Sequence, residues 1–123
     1  MVKIAIIDDD IDIVDAVKLI LTSKGYQVVS AMNANDGLKL IETEKPDIIL
    51  LDVMMEEPDD GFFLAMKLRK MGIKTPIFLL TSIAKVTGFD YGANDVIPIE
   101  EFLEKPVQSE VLIEKINKYL RQK

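Results

Sequence analysis

Ile4-Ala5-Ile6-Ile7-Asp8-Asp9-Asp10 passes from wholly apolar to wholly acidic in a single step. An apolar run without polar alternation fits a strand covered on both faces, as in a parallel sheet lying between helices. Working outward from Lys3–Ile7, the same reading holds for Gln27–Ala31, 48–51, 76–80 and, more weakly, 102–103.

Helical periods fill the gaps. Ile13, Val17 and Ile20, flanked by Val14 and Leu21, form one stripe, and Gly25 follows as a stop. Leu38 and Ile41 mark a second helix, with Asn33 as its N-cap and Asp36 near the positive helix end. Leu64, Leu68 and Met71 mark a third that ends at Gly72. Leu112, Ile116 and Tyr119 mark the last, where Lys118, Arg121 and Lys123 suit the negative pole. Strands and helices thus alternate, and right-handed crossovers make this an α/β open, doubly wound sheet. Five parallel strands at this length predict the flavodoxin-like order 2-1-3-4-5.

The chain has 123 residues, enough for one domain, and no linker or repeat divides it. Residues 1–123 are therefore expected to form a single domain. Lys plus Arg is 15 against 21 for Asp plus Glu, a net charge of −6, which disfavours direct binding to a nucleic-acid backbone. With no Cys and no His, the sequence excludes disulfides, thiolate or imidazole metal sites and every His-dependent relay. No signal segment is visible and no apolar run nears the roughly 20 residues of a bilayer span, so a cytoplasmic protein without membrane insertion is expected.

In open parallel sheets, functional groups gather beyond the carboxyl ends of the strands. There the sequence places Asp8-Asp9-Asp10, Asp52, Thr81-Ser82 and Lys105-Pro106. Two carboxylates at 4 Å repel by roughly 4 kcal/mol at an effective dielectric of about 20. A divalent cation with oxygen ligands and room for water relieves that, which suits Mg²⁺. A metal, an ammonium from Lys105 and a hydroxyl from Thr81 together match the needs of a phosphoryl group. Asp52 is then the nucleophile, and an ionised carboxylate needs no general base.

Ile6-Ile7-Asp8-Asp9, Leu50-Leu51-Asp52-Val53-Met54-Met55, Leu79-Leu80-Thr81-Ser82 and Glu104-Lys105-Pro106 resemble the four signatures of the receiver domains of two-component response regulators, of the single-domain, chemotaxis-Y-like kind. The resemblance spans about residues 3–120. It implies that Asp52 accepts a phosphoryl group from a sensor histidine kinase or a phosphotransfer protein. It also implies that Asp9 and Asp52 ligate Mg²⁺ directly, Met54 through its backbone carbonyl and Asp8 through water. Thr81 and Lys105 hold the phosphoryl oxygens, Thr81 and Phe102 form the switch, and Lys105–Pro106 is a cis bond. Met54 and Ile83 tune dephosphorylation, and Ser82 leaves an approach path. The chain catalyses only its own phosphorylation and slow dephosphorylation, so it is not an enzyme with an external product. An unidentified target protein reads the surface near residues 81–107.

Three departures carry expectations of their own. The loop after Asp52 reads Met55-Glu56-Glu57-Pro58-Asp59-Asp60-Gly61, and Glu56 or Glu57 either is solvated or leans toward the metal. Across 83–101, β-branched residues, Gly88, Gly92 and Pro98 oppose a long helix, so the fourth helix is expected to be atypical or shortened. Phe102 stands where the family often carries Tyr; it is either a switch without a hydroxyl or a core aromatic. No output domain is expected after the last helix, so the chain acts alone or was excised from something longer. The alternatives are a receiver-like interaction module independent of phosphorylation and a haloacid-dehalogenase-type phosphatase built on Asp8 and Asp10. The second leaves Asp52 without a role.

Overall fold

The computed structural model describes residues 2–55, 60–81 and 99–121. In chain order the elements are β1 (Lys3–Ile7), α1 (Ile11–Thr22), β2 (Gln27–Ala31), α2 (Ala34–Glu44), β3 (Ile48–Asp52), α3 (Asp60–Lys70), β4 (Ile77–Thr81), β5 (Glu101–Glu104) and α4 (Ser109–Leu120). The five strands form one parallel sheet in the order β2-β1-β3-β4-β5, the flavodoxin-like arrangement expected from the sequence.

The two-residue period of a strand assigns alternate side chains to opposite faces. Ile4, Ile6, Ile48, Leu50, Phe78, Leu80 and Leu103 turn to one face, which Val14, Val17 and Leu21 of α1 and Leu112 and Ile116 of α4 cover. Ile7, Ile49, Leu51, Ile77 and Leu79 turn to the other, beneath Ile41 of α2 and Leu64, Ala65 and Leu68 of α3. Both faces of the three central strands are covered, which explains why β1, β3 and β4 read as unbroken apolar runs, while the edge strands β2 and β5 are only partly buried.

Local signals set the helix starts. Asp10 caps α1 by accepting from Asp12 N at 2.9 Å, and Asn33 caps α2 by accepting from Asp36 N at 2.8 Å. Gly25 lies three residues beyond the end of α1. Several boundaries move from their sequence reading. β3 runs through Asp52 and β4 through Thr81, because the ladder continues past the apolar run with Val53 N donating to Leu80 O at 3.0 Å. Met71 falls just outside α3 and is 42 % exposed rather than core, since the helix ends at Lys70. Of 83–101, where a shortened helix is expected, residues 83–98 lie outside the described residues. Among the described residues no helix is long and apolar enough to cross a membrane.

Candidate functional site

The strand order sets β1 beside β3, β3 beside β4, and β4 beside β5. The register pairs Ile7 with Leu51, Asp52 with Leu80 and Thr81 with Glu104. Asp8, Asp52, Thr81 and Lys105 therefore leave the sheet along one carboxyl edge, although they come from four distant stretches of chain.

Asp8 is 0 % exposed, Asp52 4 % and Thr81 2 %. Burying two carboxylates is costly unless charge and hydrogen bonds offset it. Asp8 Oδ1 accepts from Asp10 N at 2.9 Å, which fixes the turn between β1 and α1. Lys105 Nζ lies 2.9 Å from Asp8 Oδ2 and 3.2 Å from Asp52 Oδ1. Only the contact with Asp52 has the alignment of a hydrogen bond, and the buried Asp8 Oδ2 has no hydrogen-bond partner. Met54 N approaches Asp52 Oδ1 at 3.4 Å, a long bond from the loop after β3.

One carboxylate oxygen from each of Asp8, Asp9 and Asp52 lies within 4.8 Å of the others. Two of these residues are buried and Asp9 is exposed. An all-oxygen donor set, one oxygen lacking a hydrogen bond and an open side for water fit a hard divalent cation such as Mg²⁺. Electrostatics agree with that fit. Burial first, and then the charge of Asp8, pushes the Asp52 carboxyl up from 3.8 to about 7, with Lys105 pulling the other way. Burial pulls the Lys105 ammonium down, but Asp8 and Asp52 outweigh it and hold its pKa above the ordinary lysine range. Without a further cation, the cluster therefore carries more negative charge than one ammonium offsets.

The remaining residues singled out in the sequence divide clearly. Asp10 serves α1 as its cap. Met54 is 42 % exposed beside the cluster. The Lys105–Pro106 bond is cis. Phe102 packs on the α3 side of the sheet, its ring centroid 6.4 Å from that of Phe62 at 58°. Ser82, Ile83, Glu56 and Glu57 lie outside the described residues. Gly61 is a structural requirement the sequence reading passed over. Gly61 N donates to Val53 O at 2.9 Å, and a Cβ there would strike Asp52 O and stand 2.7 Å from Val53 Cα. Only a residue without a side chain lets α3 begin so close to the backbone that carries Asp52. The one local hint was a glycine at the start of a helical period.

The chain is similar to known proteins. The chain is 38 % identical over 125 residues to the transcriptional regulatory protein AfsQ1 of Streptomyces coelicolor, an alignment that covers 98 % of this chain and 52 % of that protein. It is 32 % identical over 124 residues to the transcriptional regulatory protein DltR of Streptococcus agalactiae, with the same coverage of 98 % and 52 %. The chain thus spans about half the length of these curated relatives. The Francisella response regulator 1452 receiver domain superposes over 100 % of both chains with a TM-score of 0.87 at 30 % identity. The family of response regulator receiver domains matches residues 4–117, from β1 to the last turns of α4 and so across every strand end that builds the site. With that match and those relatives, the chain belongs to the response regulator receiver domain family.

Proposed function

We propose that residues 1–123 form one cytoplasmic receiver domain that accepts a phosphoryl group on Asp52 and passes the change to a partner protein. The observation that supports this best is the setting of Asp52: a 4 % exposed carboxylate, 3.2 Å from the Lys105 ammonium and grouped with the Asp8 and Asp9 carboxylates. An oxygen of Asp52 bonds to phosphorus while the phosphorus–nitrogen bond of the donor's phosphohistidine breaks. The electron pair stays on the imidazole nitrogen, which takes a proton from solvent. A sensor histidine kinase or a phosphotransfer protein supplies that donor.

Asp8, Asp9 and Asp52, together with the Met54 carbonyl, would hold Mg²⁺. Bound there, the ion supplies positive charge that keeps Asp52 ionised and offsets charge on the transferred group. Lys105 and the Thr81 hydroxyl then contact the phosphoryl oxygens, and water later cleaves the acyl phosphate. Met54 and Ile83 tune the rate of that step. Through movement of Thr81 and Phe102, the added charge biases two conformations of the surface near residues 81–107. A ligand shifts such a balance only by its unequal affinity for the two states. The target is a protein, read without direct contact to nucleic acid.

Acetyl phosphate with Mg²⁺, followed by intact mass, tests the reading. The wild-type chain gains one phosphoryl group and Asp52→Asn gains none. The same gain in both removes Asp52 as acceptor, and no gain in the wild type leaves an interaction module that works without phosphorylation.

A further inference from the structure

Gly37 ends the first turn of α2 and is buried against the sheet. Glycine forms helix less well than alanine, so its presence here has a packing cause. A methyl group at position 37 would lie 2.8 Å from Ile7 Cδ1, 2.9 Å from Ile7 Cγ2 and 3.1 Å from Ile7 Cγ1. These atoms are not one loose chain end. Both branches of a β-branched side chain face Gly37, and such a side chain is stiff at χ1. Ile7 is 0 % exposed and walled in with Ile41 and Leu51, so it has little room to turn. Relief would have to come from the backbone, by lifting α2 or by shifting the end of β1.

The residue after Ile7 is Asp8. Its N–H donates to Ala31 O at 3.1 Å, its Oδ1 holds the turn into α1, and its Oδ2 faces Lys105. We propose that Gly37 is a positioning residue: by letting α2 close directly onto Ile7, it sets where β1 ends. It thereby sets how far the Asp8 and Asp9 carboxylates reach toward Asp52 and Lys105. The pair is complementary, a side chain of full isoleucine bulk on the strand meeting no side chain on the helix. This inference rests on the receiver reading only for the use made of the carboxylates, not for the geometry.

The test compares Gly37→Ala, the double variant Gly37→Ala with Ile7→Val, and Ile116→Val. Ile7→Val removes the nearest of the three atoms. Ile116→Val weakens the opposite face of the sheet without touching β1's end. Two readouts serve: the backbone amide shifts of Asp52 and Lys105 in metal-free protein, and the Mg²⁺ dissociation constant by calorimetry. In Gly37→Ala both amides shift and Mg²⁺ binding weakens by about tenfold, as for loss of a group supporting a metal ligand. The double variant moves back toward wild type on both, and Ile116→Val changes neither. The proposal is overturned if Gly37→Ala leaves the Asp52 and Lys105 amides where Ile116→Val leaves them. It is equally overturned if Gly37→Ala binds Mg²⁺ as tightly as wild type does. A wild type that takes no phosphoryl group defeats the receiver reading while the amide shifts still decide this one.

Discussion

Lys105 Nζ stands 2.9 Å from Asp8 Oδ2, an oxygen shut off from solvent, and the two residues come from opposite ends of the chain. The same ammonium reaches Asp52 at 3.2 Å, so one cation faces two buried carboxylates. Removing it leaves like charges without compensation. Lys105→Met should therefore destabilise the metal-free protein by about 2 kcal/mol or more near neutral pH. Urea unfolding measures this, and added Mg²⁺ should restore more stability to the variant than it adds to wild type. Equal stability of the two metal-free proteins would contradict the role given to Lys105.

The carboxyl of Asp52 makes the sign of a pH effect definite. Its folded pKa is raised from 3.8 to about 7, by burial and then by Asp8. Between those values the folded chain holds a proton that the unfolded chain has released. The contribution of Asp52 therefore favours folding below about pH 4 and fades as pH rises toward about 7. Asp52→Asn lacks this group. The melting temperature of the variant, minus that of wild type, should rise from about pH 5 to about pH 8 in metal-free buffer. Excess Mg²⁺ should flatten the trend, because a cation favours the ionised carboxylates. A difference that stays constant with pH would show that Asp52 titrates normally.

The sequence announces the strand ends because their signal is local. Asp8, Asp52 and Thr81 each follow an apolar run directly, Lys105 follows Phe102-Leu103 after one glutamate, and the topology rules for parallel sheets bring those ends together. The caps Asp10 and Asn33 are legible for the same reason, since a capping side chain acts within three residues. What stays hidden is contact between elements. That Lys105 meets Asp8, that Phe102 lies against Phe62, or that Ile7 needs a glycine at position 37 leaves no period in the sequence. Met71 fails in another way: it continues the helical stripe of Leu64 and Leu68, but the helix stops one residue before it.

Phe102 and Phe62 provide a test of one such contact. Their rings are tilted at 58° with centroids 6.4 Å apart, within the range where aromatic pairs attract beyond simple burial. A double-mutant cycle with Phe62→Leu and Phe102→Leu should return a coupling of about 1 kcal/mol. If the ring of Phe102 also takes part in the response to phosphorylation, the coupling should change after acetyl phosphate treatment. Additive single effects would mean that the two rings are neighbours without being partners.

Arg69 joins three segments through one planar group. Its Nη1 donates to Ile73 O at 2.9 Å and to Thr75 O at 2.8 Å, while Nη2 donates to Glu100 Oε1 at 2.8 Å. Glu100 Oε1 also accepts from Ile77 N at 2.7 Å, and Glu100 N donates to Ile77 O at 2.9 Å. Exposed ion pairs contribute little on their own, since water screens them. Here the guanidinium also satisfies two backbone carbonyls in the turn from α3 to β4, so its loss leaves acceptors unpaired. Arg69→Ala should cost about 2 kcal/mol by denaturant unfolding. Arg69→Lys should recover only part of this, because an ammonium lacks the flat fork that spans the three oxygens. Glu100→Gln keeps an acceptor for Ile77 N and gives up only charge, so it should cost less than about 1 kcal/mol. The expected order of stability is wild type, Glu100→Gln, Arg69→Lys, Arg69→Ala. Arg69→Lys unfolding at the wild-type midpoint would show that charge alone, rather than the shape of the guanidinium, holds the start of β5 to α3.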